Sequence, residues 1–104
     1  MPVDLLSEVN FLKEQIVSKY SPSRIILFGS FAKGTASSKS DMDLCIVKNT
    51  DNKRELLTDM YVNLESNRPF DLLVYTEKEW NECVEDSTSF ANLVSRKGLL
   101  VYGR

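Results

Sequence analysis

The sequence predicts an α/β (α+β) domain in which helices cover a small mixed β-sheet. Three short apolar segments bounded by turn residues are predicted as strands, because they are rich in β-branched and aromatic residues and too short for most helices. These segments are Arg24–Phe28, Met42–Val47 and Phe70–Tyr75. Between and around them, apolar residues recur at helical spacing, which predicts helices packed on one sheet.

The elements before the second strand follow from local signals. One face of a first helix is predicted to consist of Leu5, Val9, Leu12 and Ile16, which recur at helical spacing. Pro22 ends this helix, because proline cannot continue the backbone hydrogen bonding. After the first strand, a short helix is predicted over Ser30–Gly34, since glycine suits the left-handed conformation that closes helices. The polar segment Thr35–Ser40 is predicted to be a loop.

Two further helices are predicted on either side of the third strand. The earlier one is expected over Lys53–Asn67. Its clearest apolar stripe is Leu56, Met60 and Leu64. After the third strand, Thr76 and Glu79 have the spacing of a capping box, in which side chains and backbone N–H groups at the start of a helix satisfy each other. This fourth helix is expected to reach about Val84.

The end of the chain is predicted to form a last helix and an edge strand. The helix is expected over Ser87–Lys97 and closed by Gly98. Leu99–Tyr102 is a short apolar run that can extend the sheet. With 104 residues and no internal repeat, the chain is expected to be a single domain over residues 1–104.

Composition excludes several classes of function. The chain is 42% hydrophobic and 27% charged, which is typical of soluble globular proteins. Its net charge of −2 makes nucleic acid an unfavourable direct ligand. There is no histidine, so Ser-His-Asp and Cys-His catalysis and histidine-ligated zinc are excluded. Any general base must be a carboxylate, a lysine, a tyrosine or water.

The cysteines indicate a reducing compartment, and the hydropathy pattern gives no sign of a signal peptide or a membrane span. Cys45 and Cys83 lie far apart in apolar or helical surroundings, and we expect both to be buried, reduced thiols. The first residues, Met1–Asp4, lack the basic and apolar regions of a signal peptide. No apolar run approaches the length that spans a membrane. We therefore expect a cytoplasmic protein without a membrane partner.

Two aspartates at the start of the second strand are candidate metal ligands. Side chains alternate along a strand, so Asp41 and Asp43 should project from the same face. Carboxylates held side by side repel each other, and this repulsion favours a bound cation. Oxygen ligands without sulfur or imidazole suit Mg²⁺ or Mn²⁺. The simpler alternative is that these aspartates cap a helix and face solvent in a loop.

Asp71 is a candidate third ligand. It lies in an otherwise apolar strand, where an ionised carboxylate is unfavourable unless it is paired or bound to metal. Taken alone, it could equally sit on a solvated edge or pair with a lysine. Beside Asp41 and Asp43, it would complete a divalent-metal site at the ends of neighbouring strands.

Gly29 and Ser30 interrupt the chain directly after the first strand. Taken alone, this dipeptide predicts a simple turn. Its backbone N–H groups are nevertheless suited to phosphate oxygens. Combined with the three aspartates, it predicts a site for a metal-bound nucleotide.

The joint pattern resembles a known family. The segments Gly29–Gly34 and Ser40–Leu44, with their spacing, resemble the signature of the minimal nucleotidyltransferases of the DNA polymerase beta superfamily. Phe70–Leu73 is similar to the strand that carries that family's third carboxylate, and Lys97–Tyr102 to its usual C-terminus. Lys33 stands where many members carry arginine, so the charge is kept but the bidentate fork is lost. The resemblance implies a polymerase-beta-like nucleotidyltransferase fold.

The resemblance also implies a role for each motif residue. Asp41 and Asp43 would hold two Mg²⁺ ions, or Mn²⁺ in their place, that bridge the triphosphate of ATP. Asp71 would complete the metal site next to the attacking hydroxyl. Nucleotide binding would fall to Gly29, Ser30, Lys33 and Ser40. The hydroxyl would attack the α-phosphorus in line and pyrophosphate would leave.

The resemblance further suggests what receives the nucleotide. Minimal members of the family resemble the antitoxin of toxin–antitoxin pairs whose toxin is a HEPN-type (higher eukaryotes and prokaryotes nucleotide-binding) ribonuclease. The antitoxin transfers AMP to a tyrosine hydroxyl of a toxin encoded by the neighbouring gene. We therefore expect a protein adenylyltransferase that uses ATP and acts as an antitoxin.

Two alternatives remain open at this level. The chain could be a catalytically idle antitoxin that neutralises its partner by contact, with Leu99–Tyr102 or the region of Trp80 as its interface. It could also be a subunit that nucleotidylates a small molecule or RNA with the help of a helical partner. The negative net charge makes RNA the weakest of these acceptors.

Overall fold

The computed structural model describes residues 3–37 and 39–103, so Met1, Pro2, Ser38 and Arg104 lie outside the described residues. The helices are α1 (Val3–Tyr20), α2 (Ser30–Lys33), α3 (Lys53–Asn63), α4 (Glu77–Val84) and α5 (Phe90–Lys97). The strands are β1 (Arg24–Phe28), β2 (Met42–Val47), β3 (Phe70–Tyr75) and β4 (Leu99–Gly103). The predictions of the first three strands are confirmed with their boundaries.

The strands form one mixed sheet in the order β3-β2-β1-β4. Strand β1 runs antiparallel to both of its neighbours, β2 and β4, whereas β2 and β3 are parallel. The C-terminal strand β4 therefore lies at one edge of the sheet and β3 at the other. This arrangement confirms the predicted mixed sheet covered by helices.

Helices cover both faces of the sheet because its strands are apolar on both sides. On one face, strand residues pack with Val9, Leu12 and Ile16 of α1 and Met60 of α3. On the other face, strand residues pack with Trp80 of α4 and with Ala91 and Val94 of α5. The first face includes Met42, Leu44 and Ile46 of β2, and the second includes Cys45 and Val47. Asp43 lies two positions before Cys45 on the same strand, so its side chain is on the second face, which α4 and α5 cover.

Two helix boundaries differ from the predictions. Helix α3 ends at Asn63 rather than Asn67, because Leu64 adopts extended backbone with φ −86° and ψ 137°. Its side chain remains in the core, so the apolar stripe continues beyond the helix itself. Helix α5 begins at Phe90 rather than Ser87, because the Ser89 hydroxyl accepts the Asn92 N–H at 3.0 Å and caps the helix there.

Other local predictions are confirmed. Thr76 and Glu79 form the complete capping box of α4. Gly34 closes α2 in the left-handed conformation, with φ 73°. Cys45 and Cys83 are both free thiols, but only Cys45 is buried, because Cys83 on α4 is half-exposed. None of the helices in the described ranges combines the length and the apolar character needed to cross a membrane.

Candidate active site

A row of neighbouring residues crosses three strands at one end of the sheet. Phe28 at the end of β1 is paired with Asp43 of β2, and Asp43 is paired with Asp71 of β3. Paired residues on adjacent strands carry their side chains on the same face, with the strands about 4.8 Å apart. The sheet therefore brings Asp71 beside Asp43, as the sequence predicted. Asp41 lies just before β2, two residues from Asp43.

The electrostatics of Asp43 show that the three aspartates interact. The pKa of Asp43 is raised above its ordinary value of 3.8, first by partial burial, then by the charge of Asp71, and then by that of Asp41. Each cause disfavours the ionised form of Asp43. A cation at this point would relieve both the repulsion and the loss of hydration.

The donor set fits a hard divalent cation in kind. Carboxylate oxygens are the ligands that Mg²⁺ and Mn²⁺ prefer. Asp41 and Asp71 are exposed, so packing does not fix their side chains as it does in the core. Within residues 3–37 and 39–103, no three acidic, cysteine or histidine side chains already converge as a metal site. The sheet thus places the ligands side by side, and cation binding would require their side chains to turn inward.

Gly29 is required where the first strand meets the carboxylates. Its backbone has φ 74° and ψ −149°, a region that is essentially restricted to glycine. A Cβ built on Gly29 would overlap Oδ2 of Asp43 and would lie 3.3 Å from its Cγ. The backbone of Gly29 therefore lies directly against the Asp43 carboxylate. This close approach explains the glycine more specifically than a simple turn does.

A cleft of about 640 Å³ opens beside Gly29 and Asp43. Its other lining residues are Phe28, Lys33, Phe90, Leu93, Val94 and Lys97. The rings of Phe28 and Phe90 meet edge to face with their centroids 5.5 Å apart. The cleft therefore combines an apolar floor with two exposed lysines and one carboxylate. Such a combination suits a ligand with a flat apolar part and a polyanionic part.

The α5 wall of this cleft was not predicted from the sequence. Helix α5 buries Ala91 and Val94, whereas Phe90 and Leu93 are 46% and 44% exposed. Apolar residues that fall outside the buried face of a short amphipathic helix are the signal that could have marked this wall. Lys97 also belongs to the C-terminal segment that carries the family resemblance, and the resemblance implies no role for it in the site.

The remaining predicted site residues are not among those that line the cleft. Ser30 begins α2, directly after Gly29. Asp71 is paired with Asp43 on the neighbouring strand, and Asp41 precedes β2. The Ser40 hydroxyl accepts the backbone N–H of Ser37 at 2.9 Å, which closes the loop before β2. Ser40 thus has a structural contact, and its predicted contact with nucleotide remains a prediction.

The two segments predicted as alternative interfaces differ in exposure. Trp80 of α4 is 3% exposed, because its ring faces the sheet and packs against Tyr75 with the ring centroids 5.5 Å apart. The indole of Trp80 is therefore part of the core, and an interface in the region of Trp80 stays a prediction. Leu99, Leu100 and Tyr102 on β4 are exposed, as that hypothesis requires.

Comparisons with known proteins agree with this geometry. The family described as nucleotidyltransferase domain matches residues 9–96, which is most of the chain. A solved structure of a candidate nucleotidyltransferase from Sulfolobus solfataricus superposes with a TM-score of 0.60 at 22% identity. That match covers 96% of this chain and 86% of the other chain. At this identity the likeness shows a shared fold, while no curated protein matches the sequence.

Proposed function

The chain belongs to the nucleotidyltransferase domain family, and we propose that it transfers AMP from ATP to a tyrosine hydroxyl of a cytoplasmic HEPN-type toxin ribonuclease, acting as its antitoxin. The family supports nucleotidyl transfer as the general activity. The observation that carries the proposal is the pairing of Asp43 with Asp71, with Gly29 packed against Asp43 at the mouth of the cleft.

The cleft supports ATP as the donor. Its apolar floor, with Phe28 and Phe90, suits the flat face of a nucleobase. Lys33 and Lys97 supply positive charge near Asp43, where the triphosphate would have to lie. Ser30 and Ser40 lie close by in the chain and complete the proposed phosphate contacts.

Divalent cations fit the proposed reaction. Asp41, Asp43 and Asp71 would hold Mg²⁺, with two ions expected and Mn²⁺ as the alternative. When bound, the ions would neutralise the triphosphate and stabilise charge that develops on the attacking and leaving oxygens. Without such ions, the three carboxylates would repel the triphosphate.

The residues of the chain supply the remaining chemistry. The acceptor oxygen attacks the α-phosphorus, the bond to the pyrophosphate oxygen breaks, and the hydroxyl proton passes to the Asp71 carboxylate. The exposed position of Asp71 on the edge strand β3 allows a hydroxyl of a large partner to approach it. Lys33 and Lys97 then hold the departing pyrophosphate.

A contact-only antitoxin is the second candidate. Strand β4 exposes Leu99, Leu100 and Tyr102 at an edge of the sheet, where a partner could bind without chemistry. The paired Asp43 and Asp71 favour the enzymatic proposal, because a purely binding surface has no need for adjacent carboxylates that repel each other.

One experiment distinguishes these functions. The purified chain is incubated with the protein encoded by its neighbouring gene, Mg²⁺ and ATP, and the partner is examined by intact-mass spectrometry. We expect the mass of one or more AMP groups to appear on a partner tyrosine, and to be absent with Asp43→Asn. Full neutralisation without added mass would instead establish the contact-only antitoxin. AMP transfer to RNA or to a small molecule without the partner would refute the proposed acceptor.

A further inference from the structure

We propose that Arg68 is a positioning residue that fixes Asp41 relative to Asp71. This inference rests on the proposed function, in which the two aspartates hold the same cations. Arg68 lies in the loop between α3 and β3, three residues before Asp71, and makes no part of the cleft lining. Its contacts nevertheless reach the segment that carries Asp41.

The side chain of Arg68 is nearly buried and joins separate parts of the chain. Its side chain is 9% exposed, and its Nε donates to Oε2 of Glu8 on α1 at 2.8 Å. Its guanidinium also lies over the ring of Phe31 on α2, 5.5 Å from the ring centroid. A buried guanidinium with these partners has a defined position, unlike an arginine that extends into solvent.

The same guanidinium holds two carbonyl groups of the loop before β2. Its terminal nitrogen Nη1 donates to the carbonyl of Ser37 at 3.0 Å and to that of Ser40 at 2.9 Å. The loop also closes on itself, because the Ser40 N–H donates to the Ser37 carbonyl at 3.1 Å. The carbonyl of Ser40 belongs to the peptide group that leads into Asp41. Arg68 therefore fixes the backbone immediately before Asp41.

The backbone immediately after Asp41 is held by the neighbour of Arg68. The Met42 N–H donates to the carbonyl of Pro69 at 3.0 Å. Asp41 thus lies between two hydrogen bonds, both made to the Arg68-Pro69 dipeptide. The same dipeptide leads directly into β3, whose second residue is Asp71. One short segment therefore determines where both aspartates lie.

Arg68 is itself held in place by Ser66. The Ser66 hydroxyl accepts the Arg68 N–H at 3.1 Å and donates to the Arg68 carbonyl at 2.7 Å. These two bonds fix the turn from which the guanidinium projects. Outer contacts of this kind orient metal ligands, and their loss commonly weakens metal binding about 10–100-fold.

The decisive variant is Arg68→Lys in the full chain. Lysine keeps the positive charge but lacks the planar fork that reaches one carboxylate and two carbonyls together. We expect Mn²⁺ affinity, measured by loss of the free-ion electron paramagnetic resonance signal, to fall about tenfold. The matched control Arg54→Lys makes the same change on the exposed surface of α3 and should leave the affinity unchanged.

A second readout tests the geometry without any metal. Amide hydrogen exchange at Met42 should become faster in Arg68→Lys, because the segment around Asp41 loses its restraint. A general loss of stability would not lower the Mn²⁺ affinity of protein that is still folded. Unchanged Mn²⁺ affinity in folded Arg68→Lys would therefore overturn the inference.

Failure of the proposed function is separable from failure of this inference. If the wild-type chain binds no Mn²⁺, the metal assignment fails, and exchange at Met42 alone then decides whether Arg68 restrains Asp41. If Arg68→Lys does not fold, Ser66→Ala provides the test, because it loosens Arg68 without disturbing the buried charge. We expect a smaller loss of Mn²⁺ affinity and faster exchange at Met42 in Ser66→Ala, and the absence of both would refute the inference.

Discussion

At the scale of single residues, Asp43 lowers the stability of the fold because of its position in the site. Its carboxylate is partly buried and lies near Asp71 and Asp41, so its ionised form is disfavoured in the folded chain. A carboxyl whose pKa is raised on folding lowers the stability once the pH rises through the folded pKa. Active-site groups commonly oppose stability in this way.

We therefore predict opposite effects of Asp43→Asn on stability and on activity. At neutral pH without metal, the melting temperature should rise by a few degrees, because asparagine removes the repulsion. This gain should vanish at pH values below 3.8, where the wild-type carboxyl is protonated in both states. AMP transfer should be abolished. Asp51→Asn, an exposed matched control, should show neither effect, and retained transfer in Asp43→Asn would rule out the metal assignment.

Gly29 and Gly34 provide a comparison between a required close contact and backbone strain alone. Both have positive φ, but a Cβ at Gly34 would meet nothing within 4 Å. We predict that Gly34→Ala costs about 1 kcal/mol of unfolding free energy and keeps transfer activity. Gly29→Ala should cost about 2–3 kcal/mol and lose transfer, because its methyl group displaces the Asp43 carboxylate. Urea unfolding and transfer assays measure both, and equal activity in the two variants would contradict the contact.

At the scale of elements, the two edges of the sheet differ in protection. On β3, the Leu72 N–H donates to the hydroxyl of Tyr61 at 2.8 Å, and the Tyr61 ring stacks on Phe70 with an interplanar angle of 9°. Helix α3 therefore occupies one backbone N–H of the edge strand and leaves Asp71 exposed. Covered edges resist unwanted pairing with other strands.

We predict that Tyr61→Phe removes the hydrogen bond to the Leu72 N–H and loosens β3 at this position. The stacked ring is kept while the acceptor oxygen is lost, so the change should cost about 0.5 kcal/mol. Hydrogen exchange at the Leu72 amide should become faster. Tyr102→Phe, on the opposite edge strand β4, makes the same chemical change and should leave exchange at Leu72 unaltered. Equal exchange in Tyr61→Phe and the wild type would show that the hydroxyl does not protect the edge.

The capping box of α4 makes a prediction about pH. The Thr76 N–H, followed by Lys53 with its Nζ 2.9 Å from the carboxylate, lowers the pKa of Glu79 below its ordinary value of 4.5. A carboxyl with a lowered folded pKa stabilises the fold above its unfolded pKa, and this contribution is lost as the pH falls through the folded pKa. Glu79→Gln keeps the cap but not the charge.

Urea unfolding of Glu79→Gln at several pH values provides the measurement. The wild type should be more stable than the variant at about pH 7, and the difference should close as the pH falls below 4.5. Lys78→Met, one residue earlier in the same helix, should show no such closure. A difference that stays constant down to about pH 3 would show that the charge of Glu79 does not contribute.

At the scale of the whole molecule, the cleft joins residues that are distant in the sequence. Lys33 comes from α2 and Lys97 from the last turn of α5, and both line the cleft beside Asp43. The fold thereby places two positive charges in the same cleft as Asp43, which belongs to the group of three aspartates. Opposite charges on the two sides of a site allow a polyanion and its cations to bind together.

We predict that Lys97→Met weakens binding of ATP more than it slows transfer. The KM for ATP should rise roughly fivefold, equivalent to about 1 kcal/mol, because an exposed lysine contributes modestly to an ion pair. The kcat should change much less. Steady-state kinetics measure both, with Lys78→Met on exposed α4 as the matched control. An unchanged KM would remove Lys97 from the proposed phosphate contacts.

Local signals in the sequence were enough to predict the first three strands, the capping box and the candidate aspartates. Strand periodicity and turn residues act over a few positions, so they are readable without tertiary information. The predicted end of α3 was too late, because Leu64 packs in the core although it lies beyond the helix. The predicted start of α5 was too early, because Ser89 and not Ser87 precedes the helix as its N-cap. The tertiary structure alone decided the α5 wall of the cleft, the burial of Trp80 and the hold of Arg68 on the loop before Asp41. Each depends on contacts between segments far apart in the chain, and such contacts leave no periodic trace in the sequence.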